Sequence, residues 1–271
     1  MEPILEVKGL SIAFQQYDAG TRQRRLPVIR DLSLSIGAGQ VVAVVGSSGS
    51  GKSLLAHGIL GILPYNAAME GEIRYDGELL TPERVETLRG REIVLVPQGV
   101  TYLDPLMKVG PQIRRGKRSP EARAKSRSVL ERYGLGAETE ELYPFELSGG
   151  MARRVLISTA VMETPRLVIA DEPTPGLDAR AAGRILGHFR EIADAGAGML
   201  LITHDLELAL TIADRVVVFY AGETVEEADA ADFAAGRLRH PYTRALWRAL
   251  PQNGFMPIPG AQPYPGEIAG G

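Results

Sequence analysis

Cysteine is missing altogether from the 271 residues. That excludes disulfides, thiolate zinc centres and iron–sulfur clusters. No apolar run approaches the roughly 18–20 residues needed to cross a bilayer. Met1-Glu2-Pro3-Ile4 shows neither the basic nor the apolar region of a signal peptide. A soluble chain is therefore expected, one that reaches a membrane only through another chain. A strong excess of one charge is also lacking: the net charge is −3, which argues against disorder and against a nucleic-acid surface. Arginine outnumbers lysine 25 to 5; Ala and Gly are abundant too, and the bias reads as genome base composition. There is no internal repeat and no low-complexity tract. The length suffices for one large α/β domain or a domain with a sub-domain.

What is present is an alternation of strands and helices. Residues 4–14 alternate loosely as a strand, a polar stretch runs from Gln15 to Arg25, and a second strand is expected around Leu32–Ile36. After the turn Gly37-Ala38-Gly39 comes a β-branched run, Val41-Val42-Ala43-Val44-Val45. It leads directly into Gly46-Ser47-Ser48-Gly49-Ser50-Gly51-Lys52-Ser53, the pattern G-x-x-x-x-G-K-S, followed by a helix-prone stretch from Leu54 to Leu60. Strand, glycine loop and helix are the setting in which backbone N–H groups converge on a nucleotide's phosphates. Lys52 would reach the β/γ oxygens, and the Ser53 hydroxyl is placed to bind Mg²⁺. Binding of a nucleoside triphosphate through residues 46–53, with Leu54 behind them, is the expectation.

Further on, Gly71–Gly77 reads as a strand ending in an Asp-Gly turn, and Ile93-Val94-Leu95-Val96 as a short buried strand stopped by Pro97. From about 100 to 160 the pattern is helical, with a helix predicted from Ser119-Pro120-Glu121 to Tyr133. Seven basic residues between Arg114 and Arg127 lack aromatic interleaving and read as a solvated helix face. Leu167–Ala170 and Met199–Ile202 are continuous apolar runs, as parallel strands covered on both faces require. Val216–Phe219 and Glu223–Val225 read as a closing hairpin, and the tail from Gln252 is rich in Pro and Gly. Asp171-Glu172 ends the run 167–170, where one carboxylate can hold Mg²⁺ and the next can orient an attacking water.

Leu147-Ser148-Gly149-Gly150-Met151 lies between the glycine loop and that acidic pair. With it the chain resembles the ATP-binding cassette (ABC) ATPases, whose signature is usually L-S-G-G-Q; here Met151 stands in the glutamine's place. A helix begun by Ser148, with two glycines exposing N–H groups, makes a second anion site. The resemblance implies that Ser148, Gly149, Gly150 and Met151 reach the ATP held by a partner subunit in a head-to-tail dimer. It also implies a Mg²⁺-ligating Gln98, a D-loop aspartate at Asp178 after Gly176-Leu177, and a switch histidine, His204, in Thr203-His204-Asp205. Phe14 is placed like the aromatic that stacks on adenine, with Tyr17 as the alternative. Lys52, Glu172 and His204 are the implied catalytic residues, and Ser53, Gln98 and Asp171 the implied Mg²⁺ site.

The resemblance covers roughly residues 4–250 and implies a P-loop ABC ATPase core: a mixed β-sheet flanked by helices, with an inserted helical subdomain. The expected division is an ATPase domain over 1–250, including a helical subdomain at about 99–162, and a tail over 251–271. Tyr143–Met151, Leu103–Ile113 and His240–Leu246 resemble segments of the ATPases serving oligopeptide, dipeptide and nickel importers. The short tail, Gly61-Ile62-Leu63-Pro64 and Tyr143–Glu146 look most like the nickel-import D-type subunit. Implied cofactors are ATP and Mg²⁺. Implied partners are two integral-membrane permease subunits, a second homologous ABC ATPase and, indirectly, an extracytoplasmic substrate-binding protein, with no nucleic acid. The implied location is peripheral, on the cytoplasmic face of the inner membrane. Cargo stays open among nickel, a metal–chelator complex and short peptides. So does a soluble or regulatory ABC ATPase not coupled to transport.

Overall fold

The computed structural model describes residues 2–17, 23–47 and 49–256. Its strands, in chain order, are β1 (Leu5–Tyr17), β2 (Gln23–Ile36), β3 (Val41–Val45), β4 (Ala67–Tyr75) and β5 (Glu78–Leu79). They continue as β6 (Ile93–Val96), β7 (Leu167–Asp171), β8 (Gly198–Thr203), β9 (Arg215–Tyr220) and β10 (Glu223–Asp229). The helices are α1 (Lys52–Ile59), α2 (Pro82–Leu88), α3 (Val109–Ile113), α4 (Pro120–Arg132) and α5 (Gly149–Val161). After them come α6 (Ala179–Asp194), α7 (Leu206–Leu210), α8 (Ala230–Ala234) and α9 (Pro241–Ala249).

Two sheets form. One is antiparallel, in the order β2-β1-β4-β5; the other runs β10-β9-β3-β8-β7-β6, with all neighbours parallel except the closing β9–β10 hairpin. Alternation within the unbroken apolar runs explains the layering, because successive side chains of a strand point to opposite faces. Val41, Ala43 and Val45 of β3, with Met199 and Leu201 of β8, join the apolar cluster that packs α6 and α7. Val42, Val44, Leu200 and Ile202 point the other way, into a second cluster shared with β1, β2 and α1. All five residues of β3 and all six of β8 are buried, as strands sandwiched on both faces must be.

A third, smaller cluster joins Leu103, Val109, Ile113, Leu130, Val155 and Leu156, so α3, α4 and α5 pack into a helical body after β6. Helix α4 starts where its sequence indicates: the Ser119 side chain caps the Ala122 N–H, and Pro120 follows at the first helical position. The expected strand boundaries fail most at the start of the chain. The polar stretch from Gln15 to Arg25 contributes to a long hairpin, with Gln15 opposite Arg25 and Gln16 opposite Arg24. There the pairing is backbone-driven on a solvated sheet, so no apolar alternation marks it. The separate antiparallel sheet was likewise not expected from the sequence. Residues 257–271 of the expected tail lie outside the described residues.

Candidate active site

Because β3, β6, β7 and β8 run parallel, their carboxyl ends share one edge of the sheet. In register, Val45 pairs with Thr203, Asp171 with Ile202, and Val96 with Ala170. The residues just beyond, Gly46, Gln98, Glu172 and His204, are thereby gathered from four distant stretches of chain. A cleft at the carboxyl ends of an α/β sheet is where such folds bind ligands.

The glycine loop is shaped by close contacts. A Cβ at Gly46 would lie 2.2 Å from the Phe219 carbonyl oxygen at the end of β9, so only glycine fits. Gly49 and Gly51 have φ of +79° and +96°, and Gly51 faces Val28 so closely that a Cβ would sit 2.7 Å from its Cγ1. Helix α1 begins at Lys52 with no side-chain cap and no acidic residue in its first turn. Its leading N–H groups and the positive end of its dipole are left for an anion. Lys52 is buried and donates to the carbonyls of Gly46 (2.8 Å) and Ser47 (2.7 Å) and to Ser50 Oγ (3.3 Å). Burial lowers its pKa, opposed by the charges of Glu172 and Asp171. Ser48 lies outside the described residues.

A cleft of about 350 Å³ is lined by Gly49, Gly51, Lys52, Ser53, Leu54 and Gln98, with Val28, Asp171 and Glu172 completing it. Asp171 is buried; burial raises its pKa, with the Ser53 hydroxyl pulling it back, and its Oδ1 has no hydrogen-bond partner among the described residues. An orphaned carboxylate oxygen beside a serine hydroxyl and a glutamine amide is a sparse, hard oxygen set. Mg²⁺ is held that way, through one or two carboxylates with substrate phosphates supplying further ligands. No cluster of three or more His, Cys, Asp or Glu suited to a metal occurs among the described residues. The residues thus fit an ion that arrives with a nucleotide.

Glu172 follows Asp171 with a φ of +46°, a left-handed conformation uncommon for a non-glycine residue and typical of functional sites. Its N–H donates to Ile202 O at 2.9 Å, which fixes the turn. The carboxylate is only 8 % exposed, pairs with His204 Nδ1 at 2.9 Å and accepts from Thr203 Oγ1 at 3.3 Å. His204 is half exposed. A carboxylate held from two sides beside this cleft can orient a water and accept its proton.

Other expected site residues lie outside this cleft. Ser148 caps α5 by accepting the Met151 N–H at 3.3 Å, and open space faces Gly149. The signature residues do not line the chain's own cleft. Gly150 sits against the Gly176–Leu177 loop, where a Cβ would meet Gly176 O at 3.7 Å. Asp178 caps α6 through Ala181 N at 2.8 Å, and these backbone N–H groups hold its carboxyl below the usual range. Phe14 is half-buried on β1, opposite Leu26 and Ala67, and does not line the cleft. The hairpin brings Val28 there instead. Nothing in the sequence marks Val28, since its place depends on β2 folding back over the loop. Thr203, the residue before the histidine at the end of β8, could have been found by its strand-end position.

A glycine loop on a buried parallel strand, closed by an acidic pair on one neighbour and a histidine on another, defines a P-loop nucleoside triphosphatase. The chain belongs to the ABC transporter family, whose model matches residues 29–175, and it is an ABC ATPase. It is 38% identical over 286 aligned positions to the oligopeptide transport ATP-binding protein OppD of Lactococcus lactis subsp. cremoris, spanning 98% of this chain and 83% of that protein. A putative peptide import ATP-binding protein of Brucella melitensis is 35% identical, over 93% of this chain and 79% of its own length. Among solved structures, the ATP-binding cassette MJ0796, dimeric and bound to ADP and Pi, superposes with a TM-score of 0.73 at 25% identity, covering 83% of this chain and 98% of that one.

Proposed function

We propose that this chain is the ATP-hydrolysing subunit of an importer for oligopeptides. It would sit on the cytoplasmic face of the membrane beneath two permease subunits and dimerise with a second, homologous ABC ATPase. The observation that carries the reading is the near end-to-end alignment with peptide-transport ATPases of a chain that brings Lys52, Ser53, Gln98, Asp171 and Glu172 to one cleft. No helix among the described residues is long and apolar enough to cross a membrane, so transport needs other subunits. A cavity of about 780 Å³ beside the helical body supports a permease dock. It is lined by Tyr102, Met107 and Leu156 together with Arg115, Lys117 and Arg118, and Leu106 nearby is 87 % exposed. Nickel and metal–chelator complexes, the narrower expectation, take no support from the names of these relatives. An extracytoplasmic binding protein would deliver the cargo.

In the proposed cycle, Lys52 leaves the loop carbonyls for the β- and γ-phosphate oxygens, and the α1 N-terminus completes the cradle. Glu172, steadied by Thr203, orients a water in line with the γ-phosphorus and takes its proton as the P–O bond to ADP breaks. His204, already paired with that carboxylate, contacts the γ-phosphate. Ser53, Gln98 and Asp171 would hold Mg²⁺, whose charge offsets that developing on the phosphates. Ser148 and Gly149, exposed, with the half-buried Gly150 and Met151 behind them, would close over the partner's ATP, and Asp178 would lie at the same interface.

Replacing the base tests the mechanism. Glu172→Gln should retain ATP binding and lower turnover about 10²–10⁴-fold, trapping an ATP-bound dimer visible by size exclusion. Rapid hydrolysis by that variant would remove Glu172 from the base role. The transport reading is tested by purifying the assembly from native membranes. Two permeases, a second ATPase and a peptide-loaded binding protein are expected. Recovery as a soluble dimer, or with ribosomes or DNA, would leave the ATPase and overturn the importer.

A further inference from the structure

Helix α5 carries a buried cation that the mechanism above does not use. Arg153 lies one turn into the helix that Ser148 caps, and it is 7 % exposed. Its Nη1 donates to the carbonyl oxygen of Pro97 at 2.7 Å. Pro97 is itself buried and immediately precedes Gln98, which is exposed and lines the nucleotide cleft. The adjacent Arg154 shows what an ordinary structural arginine does on this helix. It donates to the carbonyls of Gly150, Tyr133 and Gly134, satisfying the ends of helical segments at the rim. Arg153 instead turns inward, where its guanidinium loses most of its contact with water. The charges of Asp171 and Glu172 act on it there, countering the fall in its pKa that burial imposes.

We propose that Arg153 is a positioning residue that ties the signature helix to the segment presenting Gln98. The argument is geometric. A helix is stiff along its axis, the signature lies at its first turn, and Arg153 grips the backbone one residue before Gln98. A displacement of α5, whose exposed N-terminus the proposed function sets against a partner's nucleotide, is thereby passed to the side of this chain's own cleft that would hold Mg²⁺. Sequence pattern gives a partial signal: two charged residues, Arg153 and Arg154, stand between Ala152 and Val155, and Arg153 falls on the face that α5 buries. The proposal rests on the site reading given for Gln98.

The test uses the full chain and two readouts: the Mg²⁺ dependence of ATP hydrolysis, and binding of a fluorescent ATP analogue with and without Mg²⁺. Arg153→Met should raise the half-saturating Mg²⁺ concentration about tenfold, the scale seen when groups that orient metal ligands are removed. Binding of the analogue in EDTA should change less than twofold. Arg153→Lys, which keeps a donor within reach of Pro97, should recover most of the loss. In a Gln98→Ala background neither substitution should shift the Mg²⁺ dependence further, because both act through the same side chain. Additive effects, an unchanged Mg²⁺ response in Arg153→Met, or loss of Mg²⁺-free binding in parallel would overturn the proposal. Should Arg153→Met fail to fold, Arg153→Gln, whose amide stops short of the Pro97 carbonyl, goes through the same cycle with Gln98→Ala and decides by the same criterion. If Gln98→Ala alone leaves the Mg²⁺ dependence unchanged, it is the site reading that falls.

Discussion

At the scale of single residues, the cleft depends on places where no side chain can be tolerated. Gly46 abuts the Phe219 carbonyl, a rigid backbone atom in the middle of the fold, so an added methyl cannot be relieved by a rotamer change. Gly46→Ala is expected to destabilise the chain by about 2 kcal/mol or more and to weaken ATP binding at least tenfold. Denaturant melts together with nucleotide titration would read both effects. Gly49→Ala meets nothing within 4 Å and suffers only from its positive φ, so its loss of stability should be smaller. The glycine pattern itself is legible in the sequence. The reason for each glycine is not, because Phe219 lies 173 positions from Gly46 and Val28 lies on the other sheet.

Among the elements, the helical body shows where a charge run departs from its pattern. Six of the seven basic residues between 114 and 127 are exposed, as a solvated face requires, but Arg114 pairs with Glu140 at 2.5 Å, their side chains 11 % and 5 % exposed. Ser126 and Arg127 also bond to the Glu140 carboxylate. That network joins α3 and α4 to the short turn at residues 137–141. Lys117 adds a surface pair with Glu163 at 2.6 Å, of the kind worth little alone. Glu140→Ala leaves the Arg114 guanidinium buried without its counter-charge. It should cost the helical body about 3–5 kcal/mol, seen as faster amide exchange in α3 and α4 while the β3 amides stay protected. Local sequence could not show this, because the acid that buries Arg114 arrives 26 residues later, after a complete helix.

Over the whole molecule, stability should depend on pH through a residue remote from the cleft. His188 on α6 bonds to the Tyr133 hydroxyl at the end of α4, and burial lowers its pKa from 6.5 to about 4, with Arg132 adding to the shift. The folded chain therefore keeps His188 neutral while the unfolded chain takes up a proton below about pH 6.5. The unfolded state binds more protons, so stability is full above pH 6.5 and falls as the pH drops toward 4. Melts of the wild-type chain and His188→Gln should run parallel above pH 7. The wild type should lose more stability than the variant between pH 6.5 and 4. Equal losses would remove His188 as the cause.

The sequence by itself determined the local chemistry: a glycine loop between strand and helix, an acidic pair ending an apolar run, and a serine-capped helix with two glycines. Each is a short motif whose geometry follows from neighbouring residues, through φ freedom, capping and β-branched runs. Only the tertiary structure decided what meets what. Parallel pairing of β3, β8, β7 and β6 set Gly46, His204, Glu172 and Gln98 on one edge, since register is a property of strands far apart in the chain. The folding back of β2 brought Val28 to the cleft and left Phe14 away from it. Close packing of α5 against β6 turned Arg153 inward, to a carbonyl 56 positions away.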